Sequence, residues 1–196
     1  MSFKYLKTFE QWIMYNESKL HQQDVFLFLG RFQPFHIGHL KSMQDLSKYF
    51  NCPGVIALVY TDKKKEKSPF SKDLLEKEFD LILKNEKSLV KDFIIINKGY
   101  IPDIIKEFQK KDFNIIGAGC GEDRITSYQL QVKSMLLPTS EVHVIPDFEL
   151  KLTNRYGSAT DVRNAIKEGD QQVFKKLMPK YLNHLYNEFK QQINIQ

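Results

Sequence analysis

The chain has few of the features that tie a protein to a membrane or to a disulfide framework. Only two of its 196 residues are cysteine, Cys52 and Cys120, and without a secretion signal we expect both to be free thiols. No apolar run approaches the roughly 18 residues of a membrane span, and residues 1–20 lack the apolar stretch of a signal peptide. We therefore expect a cytoplasmic protein with no membrane association.

Two spacings that mark other kinds of site are also missing. Neither C-x-x-C nor H-E-x-x-H occurs, so we predict no metal held by protein side chains alone. Residues 117–124 are rich in glycine but lack G-x-G-x-x-G spacing, which disfavours a dinucleotide-binding oxidoreductase. The net charge of +5 is too mild to require a nucleic acid partner. It suits an anionic substrate, and equally an ordinary lysine-rich surface.

Short apolar runs alternate with helical spacing along the chain. This pattern predicts an α/β fold, a Rossmann-like doubly wound parallel sheet of about five strands with C-terminal helices. The predicted strands are residues 25–29, 54–60, 93–96, 113–117 and 142–145. The predicted helices are residues 39–50, 71–83, a segment opened by Pro102, 123–136, 160–167 closed by Gly169, and 181–193. Ligands of such folds bind beyond the carboxyl ends of the strands.

The chain length suits one domain, which we assign to residues 25–196. Residues 1–24 form an N-terminal extension in which Phe9, Trp12 and Ile13 share a helical face. We expect a helix packed on the outside of the domain, and the alternative is a docking element for a partner.

The densest group of functional residue types is the decapeptide 30–39, G-R-F-Q-P-F-H-I-G-H, at the first strand-to-helix junction. A helix that starts near Gly38 points free N–H groups and a positive dipole end at an anion. Arg31 adds a guanidinium that matches phosphate oxygens, and the first glycine lets backbone approach a ligand closely. His36 and His39 flank the helix start. Together these features predict a polyphosphate site.

This decapeptide resembles the motif of the H-x-G-H nucleotidyltransferase superfamily. Its form is similar to that of the archaeal-type nicotinamide mononucleotide (NMN) adenylyltransferases. Cytidylyltransferases of the superfamily usually have G-x-F-D instead, so Gln33 followed by Pro34 favours the adenylyl branch. The resemblance implies in-line attack by a phosphate oxygen of the acceptor on the α-phosphorus of ATP, with a substrate-bridged Mg²⁺ and no protein nucleophile.

The resemblance also implies roles for residues of the decapeptide. His36 and His39 would donate to α- and β-phosphate oxygens, and Gly38 would keep the space between them open. Gly30, Phe32 and Gln33 would shape the nucleotide pocket, and Arg31 would hold the β- and γ-phosphates.

A second segment, residues 157–163 (G-S-A-T-D-V-R), resembles the I-S-G-T-x-x-R motif of the same superfamily. Its first residue is glycine instead of an apolar residue, and its third is alanine instead of glycine. Taken alone, Ser158 or Thr160 would only cap a helix. The resemblance adds a phosphate gripped by Ser158, Thr160, Arg163 and backbone N–H groups.

Two further segments carry weaker signals. Residues 68–71 (S-P-F-S) resemble an N-P-F-T stretch of the archaeal-type enzymes, whereas the S-x-x-x-S-H pattern of this loop is not preserved, which leaves the acceptor open. The preceding lysines 63–65 either reach a triphosphate or lie in a solvated loop. After the fourth strand, Gly117 and Gly119 would let a nucleobase and ribose lie against backbone, with Arg124 contacting a phosphate.

Three functions compete at this point. The first is transfer of AMP from ATP to NMN, which gives NAD and pyrophosphate. The second is a sister reaction with CTP or with another phosphorylated acceptor. The third is a non-catalytic nucleotide sensor, against which the intact His36 and His39 argue. Related enzymes are often multimers, so the resemblance also raises a homo-oligomer.

Overall fold

The structure, a computed structural model, describes residues 22–61, 68–135 and 148–193. In this part of the chain five parallel strands form one sheet in the order β3-β2-β1-β4-β5. They are β1 (Gln23–Gly30), β2 (Gly54–Val59), β3 (Val90–Ile96), β4 (Phe113–Cys120) and β5 (Glu149–Leu152). The strand order reverses between β1 and β4, and α/β sheets bind ligands at the carboxyl end of such a switch point.

Helices cover both faces of the sheet. They are α1 (Ile37–Phe50), α2 (Lys72–Asn85), α3 (Ile101–Gln109), α4 (Ile125–Met135), α5 (Ala159–Glu168), α6 (Gln171–Leu177) and α7 (Tyr186–Ile193), with a 3₁₀ turn over Lys180–Leu185. In β1, Phe26 and Phe28 pack towards α1, α2 and the C-terminal helices, while Val25 and Leu27 pack towards α3 and α4. This period of two places an apolar core on each face, as the predicted doubly wound fold requires. No helix in the described ranges combines the length and apolar character of a membrane span.

Three helix ends follow the sequence signals. The Ser71 hydroxyl caps α2 by accepting a hydrogen bond from the Leu74 N–H at 3.3 Å. Pro102 lies in the first turn of α3, where its missing N–H is not needed. Gly169 ends α5 with φ of 76°, a left-handed conformation that favours glycine.

Other predictions differ from the structure or lie outside its described ranges. The strand predicted over 142–145 and the helix in the first 21 residues lie outside them. The fifth described strand is instead β5, which alternates charged and leucine residues and therefore lacks a continuous apolar run. The helix predicted over 181–193 begins as 3₁₀ turn after Pro179 and becomes α-helical only at Tyr186.

Candidate active site

The turn from β1 into α1 is shaped by Gly30 and Phe32. Phe32 has φ of 43°, a left-handed conformation that strains a bulky residue. Its ring lies where a Gly30 side chain would be, because a Cβ there would come within 2.8 Å of the Phe32 Cζ. The ring then meets the His39 ring edge-on, with centroids 5.0 Å apart. The absence of a side chain at Gly30 therefore leaves room for the Phe32 ring, which packs against His39.

The two histidines of the decapeptide cap the start of α1 and stack on each other. The His36 Nδ1 accepts a hydrogen bond from the Gly38 N–H at 3.1 Å. The His39 Nδ1 accepts one from the His36 N–H at 3.2 Å. The rings stack with centroids 3.7 Å apart. Since a neutral imidazole that accepts at Nδ1 carries its proton on Nε2, both rings present Nε2–H donors.

Burial keeps both imidazoles neutral. Burial is the largest of three effects that together lower the pKa of His36 to about 4. The charge of Asp161 opposes it by raising the pKa, and the charge of Arg155 lowers the pKa further. The pKa of His39 also lies well below its ordinary value, first through burial and then through the neighbouring His36. At neutral pH the pair therefore offers two hydrogen-bond donors without positive charge.

The start of α5 meets the start of α1. A Cβ on Gly38 would come within 3.0 Å of the Gly157 backbone nitrogen, so the two segments are in close contact. The Ser158 hydroxyl oxygen caps α5 by accepting from the Thr160 N–H at 3.1 Å. The structure thus brings the two sequence motifs together, with two positive helix ends at one place.

Arg163 ties the decapeptide to α5. Its side chain is buried, and its Nη1 donates to the Gln33 carbonyl at 2.7 Å while Nη2 donates to the Thr160 hydroxyl at 2.9 Å. Gln33 is buried as well, and its side-chain oxygen accepts from the Phe70 N–H at 3.1 Å. Gln33 and Arg163 therefore hold the loop between β1 and α1 against α5 and Phe70.

Three exposed charged side chains surround this junction. Arg31 is exposed and forms no ion pair with any residue that the structure describes. Arg155 and Asp161 act electrostatically on His36, and the sequence analysis did not single them out. Asp161 is an acidic residue in the first turn of α5, so its sequence signal is that of an ordinary helix start.

On the α1 face of the sheet, the space over Gly117 and Gly119 is filled by side chains. A Cβ on Gly117 would lie 2.5 Å from Phe50, and one on Gly119 would lie 2.2 Å from Leu46. Both glycines let α1 approach β4 closely. Arg124 lies just beyond β4, exposed and 3.4 Å from the Asp123 carboxylate.

A cavity of about 340 Å³ opens between α1 and residues 151–156. Its lining consists of Ser42, Asp45, Leu46, Lys151, Leu152, Thr153, Asn154 and Tyr156. The Ser42 hydroxyl lies 3.1 Å from the Gly38 carbonyl and 3.1 Å from the Asn154 carbonyl, which places the cavity one helical turn from Gly38. At the cavity wall the Tyr156 hydroxyl donates a hydrogen bond to the Asp45 carboxylate. Small-molecule sites commonly have about 300–1,000 Å³, so the cavity has the size for a nucleoside.

The donor set of the junction suits phosphate oxygens. It consists of two neutral imidazoles, hydroxyls and arginines beside two helix starts. Within residues 22–61, 68–135 and 148–193, no group of three or more His, Cys, Asp or Glu side chains is arranged to hold a metal ion.

Comparisons with known proteins identify the family and the fold. The sequence model of the cytidylyltransferase-like family matches residues 27–165, a range that includes both motifs. A search of curated proteins found no match. The fold is similar to that of Plasmodium falciparum nicotinic acid mononucleotide adenylyltransferase complexed with APC, with TM-score 0.56 and 13% identity over 89% of this chain and 100% of that one. It is also similar to Thermotoga maritima TmcAL bound with alpha-thio ATP, with TM-score 0.56 and 11% identity over 85% of this chain and 55% of that one.

Proposed function

The chain belongs to the cytidylyltransferase-like family of the nucleotidyltransferase superfamily, and we propose that it transfers AMP from ATP to nicotinamide mononucleotide, giving NAD and pyrophosphate. The observation that carries the proposal is the stacked pair His36 and His39, which lies where two helix starts converge. Such a site binds the phosphates of a nucleotide without needing a protein nucleophile.

The neutral histidines fit this reaction because they are donors and the reaction needs no base. The second pKa of a phosphate monoester is about 6, so the acceptor is mostly ionised at neutral pH. One of its phosphate oxygens forms a bond to the α-phosphorus of ATP while the bond from that phosphorus to the β-phosphate oxygen breaks. His36 and His39 then donate to oxygens on which negative charge grows, and held donors of this kind are each worth about 10²–10³ in rate.

The remaining residues bind and orient the phosphates in this proposal. The positive dipole ends of α1 and α5 favour an anion, and Ser158 and Thr160 add hydroxyls. Arg31 is exposed, so its guanidinium is available to the β- and γ-phosphates. Arg163 holds the two phosphate-binding segments together and adds positive charge beneath them.

We propose that Mg²⁺ enters with the triphosphate. Mg²⁺ usually keeps several waters and binds through substrate phosphates and one or two carboxylates, and Asp161 is a carboxylate whose charge reaches His36. Bound in this way, the ion would neutralise phosphate charge. Phosphate oxygens, water and Asp161 would be its ligands.

In this proposal the nucleobase and ribose bind in the 340 Å³ cavity beside Ser42. The cavity lies one turn from Gly38, and Asp45 and Asn154 offer hydrogen-bonding groups along its wall. At Gly117 and Gly119, by contrast, α1 occupies the space on its own face of β4.

ATP as donor is supported by the Gln33-Pro34 form of the decapeptide and by the two structural neighbours, one of which is bound with alpha-thio ATP. A nicotinamide-type acceptor is supported by the other neighbour, a nicotinic acid mononucleotide adenylyltransferase. CTP is the second candidate donor because the family is described as cytidylyltransferase-like.

The experiment is a matrix of two donors against two acceptors. Purified protein with Mg²⁺ is given ATP or CTP together with NMN or nicotinic acid mononucleotide, and pyrophosphate and product mass are measured. NAD from ATP and NMN supports the proposal. Product only with CTP, only with nicotinic acid mononucleotide, or with no pair overturns the assigned donor or acceptor. His39→Ala, purified in the same way, shows whether any activity comes from a contaminant.

A further inference from the structure

We propose that Glu78, on α2, is a positioning residue that holds the peptide before His36 and thereby sets the geometry of the histidine pair. The Phe35 N–H donates to the Glu78 Oε1 at 3.1 Å across 43 residues of chain. Glu78 is fully buried, and its Oε2 finds no partner among the described residues. The inference rests on the proposed function only for its kinetic readout.

The hydrogen bond to Glu78 is the first in a series along the entry to α1. After Phe35, the His36 N–H donates to the His39 Nδ1, and the Gly38 N–H donates to the His36 Nδ1. The later two acceptors belong to the same short segment and move with it. Glu78 comes from another helix, so it anchors this part of the series to the body of the fold.

Aromatic packing extends the coupling from α2 to the histidines. The Phe35 ring lies with its centroid 5.8 Å from that of Phe79, the neighbour of Glu78. The centroid of the same ring lies 5.3 Å from that of the His39 ring. A displacement of Phe35 would therefore move both His36, through the backbone, and His39, through the ring contact.

Packing alone does not explain a carboxyl group at this position. The other buried residues of α2 are the apolar Leu74, Leu75, Phe79 and Ile82. A buried carboxyl with one unpartnered oxygen costs free energy that a methionine of similar size would avoid. The hydrogen bond to Phe35 is the interaction that a methionine cannot make.

The charge state of Glu78 indicates which substitution preserves the role. Burial raises the pKa of Glu78 well above its ordinary value, which favours the protonated form of the carboxyl group. Oε1 is then the carbonyl oxygen that accepts from Phe35, and Oε2 carries the proton. Glutamine has the same shape with a carbonyl oxygen and an NH₂ group, and Glu78→Gln is therefore the conservative variant.

The test compares Glu78→Met, Glu78→Gln and the control Ile82→Val in the full chain. Ile82 is buried on α2 one turn further along and has no hydrogen bond to the decapeptide, so its truncation lowers stability without touching the histidines. Melting temperature, kcat and KM for ATP are measured well below the melting range. In parallel, long-range ¹H–¹⁵N NMR of ligand-free protein reports which ring nitrogen of His36 and His39 carries the proton.

In Glu78→Met we expect kcat to fall about 10- to 100-fold with KM for ATP within about threefold, because ångström misplacement slows chemistry more than binding. We expect the Nε2–H form to be mixed with Nδ1–H in its NMR spectrum. Glu78→Gln should restore both readouts, and Ile82→Val should change only the melting temperature.

Either of two results overturns the inference. One is a Glu78→Met protein whose histidine tautomers match those of the wild type. The other is a Glu78→Gln protein as impaired as Glu78→Met. Because the tautomers are measured without substrate, the inference is decided even if no acceptor in the matrix gives a product, and that outcome counts against the proposed function alone.

Discussion

The His36 N–H donates to the His39 Nδ1 at 3.2 Å, so the backbone itself decides which nitrogen of His39 carries the proton. The Gly38 N–H does the same for His36. Donors fixed in this way need no reorganisation when charge develops on a bound phosphate, which is the condition under which hydrogen bonds contribute most to catalysis. The capping of α1 and the proposed chemistry are therefore one arrangement.

Removing the Nε2–H of His39 should remove turnover while leaving the fold in place. We expect His39→Asn to lower kcat at least about 100-fold, the effect of losing one held donor. The Asn Oδ1 can take the place of Nδ1 and accept from His36, so the melting temperature should stay closer to the wild type than in His39→Ala. Steady-state kinetics and thermal unfolding measure the two effects. A variant that keeps more than about a tenth of wild-type kcat would rule out the donor role.

The stability of the protein should depend on pH through His36. Its pKa is about 4 in the folded protein, below its ordinary value of 6.5. The unfolded chain therefore binds more protons between these pH values, and His36 destabilises the fold as pH falls from 6.5 towards 4, by about 3 kcal/mol at most. Urea unfolding at several pH values measures this dependence.

His36→Asn is the matched control for the pH dependence. Asparagine is a good helix cap and does not titrate, so this variant should lose less stability than the wild type between pH 6.5 and 4. The comparison is needed because Glu78, whose pKa is raised, acts in the opposite direction: its contribution is present at low pH and is lost as pH rises. Equal slopes in the two proteins would show that His36 is not depressed in pKa.

Arg163→Lys should weaken the attachment of α5 to the loop between β1 and α1. A lysine ammonium cannot span the Gln33 carbonyl and the Thr160 hydroxyl as the guanidinium does at 2.7 and 2.9 Å. The unfolding free energy should fall by about 1–3 kcal/mol, because a buried carbonyl loses its donor. Thr160→Val, which removes only one of the two acceptors, should lose less. If both variants unfold like the wild type, Arg163 acts on the substrate rather than on the loop.

The fold was predictable because its central elements carry strong local signals. The apolar runs of β1 and β2 and the cap at Ser71 identified strands and helix starts. β5 was missed because it has only four residues, of which Leu150 and Leu152 alone are apolar. β3 begins three residues earlier than predicted. Its start was missed because Lys91 and Asp92 interrupt the apolar run after Val90.

The meeting of the two motifs was inferred from resemblance, and the structure places them together at the starts of α1 and α5. The contact of Gly38 with Gly157 could not be predicted from local sequence, because the two residues lie 119 positions apart in the chain (157 − 38). For the same reason the role of Glu78 could not be predicted, because it is one of several charged residues along α2. Tertiary packing, rather than residue type, decides which of these charges is buried.

Gly119→Ala tests whether this glycine serves helix packing or a bound base. A Cβ at Gly119 would lie 2.2 Å from the Leu46 Cδ1 on α1, so overpacking should cost about 1–3 kcal/mol of unfolding free energy. Gly121→Ala is the control, because its Cβ would meet only the Asp123 carboxylate, which can move away. Thermal unfolding should show a lower melting temperature for Gly119→Ala alone, with KM for ATP close to the wild type in both. An unchanged melting temperature with a strongly raised KM would return the base to the surface of β4 and take it out of the cavity beside Ser42.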